Sequence, residues 1–175
     1  SLGHFVEGGV TAGFRRRVRF DVTGYRRSFT AFADDDVFLN TGVTFPIAWS
    51  SAIVRGLDAK VTLLPWHRLS GAASYSLLKG AAQLPIVGGL FLGANDLEAT
   101  GGVPITQDQR HTARGQIRLS LGARAWVVGV THYGSGLPVE VADGQDAASL
   151  VAQYGERVIE RVNVAAGRVR PNLSV

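Results

Sequence analysis

Apolar and polar residues alternate along much of this chain with a period of two, the spacing of a strand that shows different faces to different surroundings. From Ile53 to Leu64, the side chains of Ile53, Leu57, Ala59, Val61 and Leu63 fall on one face, and Val54, Gly56, Asp58, Lys60 and Thr62 on the other. Arg55 interrupts the apolar face near its loop end, where a long side chain can snorkel. The segment Leu69–Leu77 continues the pattern after Pro65-Trp66-His67-Arg68, so the two are predicted to form a hairpin whose proline costs no ladder hydrogen bond. A second hairpin has the sharpest contrast. Ala113, Gly115, Ile117, Leu119 and Leu121 alternate with Thr112, Arg114, Gln116, Arg118 and Ser120, the chain turns at Gly122-Ala123, and Ala125–Tyr133 returns with Trp126, Val128 and Val130 assigned to one face. Phe5–Gly13 and Arg17–Phe29 are predicted to form an earlier hairpin, and a seventh strand is expected to start near Val162.

The connections are unequal. Short basic or aromatic turns lie at Gly13–Arg17, Pro65–Arg68 and Leu121–Arg124, and long polar loops are expected over Thr30–Ser50, Lys79–Arg110 and Gly134–Arg161. Strands of about 9–11 residues with short returns on one side and long ones on the other are the signature of an outer-membrane barrel. Aromatic residues fit the same scheme. Phe14, Trp66 and Trp126 lie at the short turns, and Phe29, Tyr75 and Tyr133 lie toward the long loops, as two headgroup-level bands would. A soluble β-sandwich shows the same alternation, with the rings capping a core, so the pattern alone leaves both architectures open.

Composition narrows the choice little. The 175 residues include 22 Gly, no Cys and no Met, which suits closely packed strands and excludes disulfides and thiolate metal sites. The net charge of +4 is carried mainly by arginine. Arg17 and Arg19 alternate with Val18, Phe20 and Val22, which puts the charge on one strand face and argues against a nucleic-acid surface. The chain begins at Ser1 without a charged-then-apolar leader and ends at Arg170–Val175 on what reads as a strand start, so it is expected to be an internal fragment, one partial domain over residues 1–175.

Chemical motifs are sparse. His4, His67, His111 and His132 have no metal-site spacing, and Asp34-Asp35-Asp36 reads as a solvated loop tip more readily than a calcium loop. Ser135 with His132 and Asp143 lacks a nucleophile-elbow pattern, and neither Gly88-Gly89 nor Gly101-Gly102 matches a phosphate loop. No enzyme activity and no cofactor is expected. Apolar Leu84–Gly93 is a candidate to fold over a barrel mouth or to pack against a neighbouring loop.

In order along the chain, Arg55-Gly56-Leu57-Asp58-Ala59-Lys60-Val61-Thr62-Leu63-Leu64-Pro65-Trp66, then Leu69–Ser76, then Asp108-Gln109-Arg110-His111-Thr112-Ala113 and Tyr133-Gly134-Ser135-Gly136-Leu137-Pro138, resemble phrases of the barrels of TonB-dependent outer-membrane receptors. The resemblance runs from about Arg17 onward. It implies an all-β antiparallel up-and-down meander, about seven strands of a larger transmembrane barrel, open when isolated. It further implies uptake of a scarce nutrient such as a siderophore-iron complex, cobalamin or a saccharide across the bacterial outer membrane. The implied partners are outer-membrane lipid, the rest of the barrel and plug, TonB through a segment outside this chain, and the small-molecule ligand.

On the barrel reading, Asp58, Lys60, Arg114, Gln116 and Arg118 would face the lumen, and Val18, Phe20, Val22, Leu57, Val61, Leu63, Ile117, Leu119, Val128 and Val130 would face lipid. Phe14, Trp66, Trp126 and Tyr75 would mark the interfaces. The rival expectations are a soluble β-sandwich module binding carbohydrate or protein, and a different outer-membrane barrel acting as a small enzyme or adhesin.

Overall fold

A computed structural model of the chain describes residues 2–38, 43–88, 102–139 and 147–175. Its main feature is one antiparallel meander. The strands are β1 (Leu2–Phe14), β2 (Val18–Phe38), β3 (Val43–Trp66), β4 (Leu69–Gly88), β5 (Val103–Pro104), β6 (His111–Ser120) and β7 (Trp126–Gly134). Helices α1 (Ala147–Tyr154) and α2 (Glu156–Ile159) follow, then a small hairpin of β8 (Val162–Asn163) and β9 (Arg168–Val169), and finally β10 (Asn172–Ser174). The sheet order is β1-β2-β3-β4-β6-β7-β10, with β5 pairing β4 and with β8–β9 as a separate pair. The sheet does not close on itself: β1 and β10 are its two edges. Among the described residues no helix is long and apolar enough to cross a membrane, which says nothing about strands.

Each hairpin predicted from alternation is present, and the all-β antiparallel meander is confirmed, but β2, β3 and β4 are much longer than expected. They run to 21, 24 and 20 residues, so the expected loop over Thr30–Ser50 is largely strand, and the one expected over Lys79–Arg110 begins as strand as far as Gly88 and includes β5. The third expected loop, over Gly134–Arg161, holds α1 and α2. The strand expected from Val162 is the two-residue β8, and the main sheet is rejoined only at β10. β5 and β6 are two pieces of one descending strand, broken by residues 105–110, because both pair with β4 in the same direction.

Residues directly opposite each other in antiparallel strands share a face, so the register assigns every side chain. On the first face, Val22 pairs with Val10 and Ala59, Ala59 with Tyr75, Tyr75 with Ala113, and Ala113 with Tyr133. On the second, Asp58 lies between Thr23 and Ser76, and Ser76 pairs with Thr112. These are called the Val22 face and the Asp58 face below.

Near the short turns, the Val22 face is apolar and open. It carries Phe14, Val18, Phe20, Leu57, Val61, Leu63, Ile117, Leu119 and Val127, with Phe20 43% and Ile117 53% exposed. Nearer the long hairpins the arrangement inverts. The buried cluster of Trp49, Ala52, Val54, Ala82 and Ile105, with Tyr25, Phe29, Phe32, Leu78 and Val103 against it, lies on the Asp58 face, and the Val22 face carries Arg26, Arg55, Lys79, Ser28, Thr30, Ser51 and Gln83. Two glycines make room for this cluster. Side chains at Gly56 and Gly80 would collide with the Tyr25 phenol and with Ile105, which lie flat across them.

Candidate functional site

Polar chemistry concentrates on the short-turn half of the Asp58 face. One cross-strand row reads Thr11, Asp21, Lys60, Ser74, Arg114, His132, and the next reads Gly9, Thr23, Asp58, Ser76, Thr112, Gly134. Strand periodicity places them together. Each polar residue alternates with an apolar one, and the in-register ladder lines the polar ones up across six strands. Asp21 accepts a hydrogen bond from Thr11 Oγ1 at 2.7 Å and pairs with Arg19 at 2.8 Å, and Lys60 lies opposite it. Ser76 donates to the Asp58 carboxylate across the β3–β4 ladder. Such a surface offers both signs of charge and many hydroxyls, which suits either a polar solute or a second protein element packed against it.

All five residues expected to share the polar face do so: Asp58, Lys60, Arg114, Gln116 and Arg118. Eight of the ten residues expected on the apolar face lie together on the Val22 face. Val128 and Val130 do not: they stand opposite Arg118 and Gln116, among the polar residues. Their places are taken by Val127, Gly129, Thr131 and Tyr133, opposite Leu119, Ile117, Gly115 and Ala113. The bond from Leu121 N–H to Ala125 O closes the turn and sets this register. Both faces of Trp126–Val130 are rich in valine, so alternation within β7 could not choose between them.

The aromatic candidates occupy three settings. Phe14 and Tyr75 are on the Val22 face, and Trp66 is opposite Leu69 on the same face, beyond a register shift that leaves Pro65 outside the ladder. Trp126 lies on the Asp58 face opposite Ser120. At the short-turn end each ring is covered by an arginine: Arg15 lies over Phe14, Arg17 over Trp66 and Arg118 over Trp126, with guanidinium carbons 5.2, 5.3 and 5.1 Å from the ring centroids. Tyr75 Oη lies 2.7 Å from His111 Nδ1.

A second polar assembly closes the other end of β6 and β7. Asp108, 1% exposed, is held by Arg110 at 3.2 Å and Arg168 at 3.4 Å. Arg168 Nη1 also donates to the carbonyls of Asp108 at 2.6 Å and Gly136 at 3.3 Å. One guanidinium thus joins the 105–110 excursion, the exit of β7 and the small hairpin. Ser135, considered above beside His132, is engaged elsewhere: His111 N–H donates to its Oγ, and its own N–H donates to His111 O, both at 2.9 Å. Asp143 lies outside the described residues, as do the side chains of Asp34–Asp36 and of Leu84–Gly88 and the whole of 89–93. Beside the Arg168 assembly is a cleft of 440 Å³, where Gln109, Glu160, Arg161, Arg170 and Asn172 provide polar lining. The Asp108–Arg110 phrase was visible in the sequence, but its partner is 60 residues away and carries no local signal.

Comparison of the chain with protein-family profiles, curated proteins and solved structures gives no match.

Proposed function

We propose that this chain forms part of the wall of a TonB-dependent outer-membrane receptor that takes up a small nutrient, with the Val22 face toward lipid and the Asp58 face toward the lumen. The observation that carries the reading is the inversion of polarity along single strands. A strand that stays in one environment keeps its apolar side on one face throughout. Here the apolar side changes faces between Leu57 and Val54, as expected where a wall leaves hydrocarbon and enters water, so that its outer surface turns polar and its inner surface needs a core.

Dimensions support the reading. The apolar stretch of the Val22 face extends from the Leu69–Leu119 row to the row containing Lys79, ten residues along β4. At ~3.3 Å per residue and a tilt of roughly 35–45°, it stands about 25 Å tall, the height of a lipid-facing band. An exposed apolar surface of this extent marks a membrane or protein contact. Edges β1 and β10 are where further strands of a larger barrel would pair. The receptor assignment within outer-membrane barrels rests on the Arg55–Trp66, Asp108–Ala113 and Tyr133–Pro138 phrases, and substrate contact is assigned to the Asp58 face and the cleft beside Arg170.

Fractionation of cells producing the full-length protein tests the proposal. The protein is expected in the outer membrane, resistant to alkaline extraction and migrating differently in gels before and after boiling. Uptake of its nutrient is expected to stop in cells without functional TonB. A folded monomer in detergent-free buffer would reject the membrane reading, and TonB-independent uptake would reject the receptor assignment.

A further inference from the structure

Arg26, Arg55 and Lys79 stand directly opposite one another on three adjacent strands, on the Val22 face. All three are exposed, and none has an ion pair or hydrogen bond among the described residues. Directly opposed like charges destabilise a sheet. The usual remedy, an interleaved carboxylate, is missing: along the paired stretches of β1 to β7, every described acidic side chain lies on the other face. Other cations are better provided for. Arg19 and Lys60 stand beside Asp21, Arg110 and Arg168 hold Asp108, and Arg27 covers the rings of Phe5 and Tyr25.

Neighbours on the same face are neutral. Toward the short turns are Gly24, Leu57 and Leu77; toward the long hairpins are Ser28, Ile53 and Ala81; beyond Arg26, on β1, is Val6. Among the described residues nothing covers the three cations, which have an apolar floor on one side and a more polar one on the other. Their row is the boundary of the apolar band. Guanidinium groups suit a phosphate because they donate two parallel hydrogen bonds, and an ammonium adds a point charge beside them.

We propose that Arg26, Arg55 and Lys79 together seat the phosphate of an anionic lipid headgroup, whose acyl chains lie over Leu57, Leu77 and the apolar band below. The inference rests on the barrel reading and adds to it a specific lipid site on the outer wall. The seat neutralises the three charges and fixes one lipid at the point where hydrocarbon gives way to water.

The test uses the full-length protein in a neutral maltoside micelle, with lipid occupancy read by native mass spectrometry during titration with phosphatidylglycerol, phosphatidylcholine or inorganic phosphate. Phosphatidylglycerol is expected to bind in preference to phosphatidylcholine. Each of R26Q, R55Q and K79Q is expected to weaken it about fivefold, and the triple variant on the order of a hundredfold. The R26K/R55K variant keeps the charge and is expected to retain most of the binding, and unaltered gel mobility before boiling shows that each variant has folded. Equal phosphatidylglycerol binding by the parent and the folded triple variant overturns the lipid seat while leaving the barrel intact. Equal competition by inorganic phosphate overturns it in favour of a free-anion site. A parent protein that stays soluble without detergent overturns the barrel reading and the seat together.

Discussion

The two halves of the long strands solve the same problem in opposite ways. Near the short turns, the ladder of β2, β3 and β4 puts Phe20, Val61 and Ala73 on an uncovered face and reserves the other for Asp21, Lys60 and Ser74. Toward the long hairpins, the same strands bury Ala52 and Ala82 under Ile105 and Trp49 and leave Ser51 and Gln83 outside. Among the described residues the first half has exposed apolar side chains and no buried core of its own. The second makes its own cover by folding residues 105–110 back over the sheet. An inversion of this kind within one strand carries more information than the alternation itself, because alternation is common to soluble and membrane sheets alike.

The comparison can be broken most sharply at Val61, which lies within the apolar band. Val61→Arg is expected to cost about 3 kcal/mol of stability in lipid vesicles, measured by urea unfolding followed through tryptophan fluorescence. A change below about 1 kcal/mol would mean that no hydrocarbon covers this face. Next in size is Ile105→Ala, which empties the cover of the second half at a cost of about 2 kcal/mol. Hydrogen exchange should accelerate at Ala52, Val54 and Ala82 and remain unchanged at Val61. If both regions loosen together, the two halves are not independent.

Asp108→Asn removes the charge that Arg110 and Arg168 share, for about 1–2 kcal/mol. The loss should be local, read as faster proteolysis of residues 135–139 and 168–170 with the β3–β4 ladder still protected. Smallest of all is Val130→Arg, expected to shift stability by less than about 0.5 kcal/mol, because Val130 lies opposite Gln116 on the polar face. A penalty there equal to that at Val61 would restore the sequence-based assignment of Val130 to the apolar side and discard the register described above.

The short-turn half was legible because its polarity follows a period of two, from which the short-turn end of β3 at Leu64 and the whole of the Thr112–Leu121 strand could be drawn within a residue or two. The second half was hidden by breaks in that period. Ala31 adopts a left-handed backbone with φ 55°, so Phe29 and Phe32, three residues apart, bring their rings to 5.6 Å and join the same cluster. Register shifts on either side of Trp49 do the same for Trp49 and Ala52. Residues spaced by three look like loop or helix in a search for period two, which is why Thr30–Ser50 read as a loop. The face of β7 was lost for a different reason: valines at 127, 128 and 130 suit either side, and only the turn at Leu121–Ala125 decides. The candidate polar face was found from single strands, but its pairing of Asp21 with Lys60 and the row of Arg26, Arg55 and Lys79 exist only once three strands are aligned.

On the barrel reading proposed here, a wall whose grease changes sides has only one waterline. Shifted lengthwise by half a strand, this sheet would carry Arg26, Arg55 and Lys79 into oil and lift Phe20 and Val61 into solution, two penalties of the same sign. In the proposed barrel the depth of immersion would thereby be written into the strands themselves, and any hinge or gate would have to act across the wall, since the wall could not bob up and down.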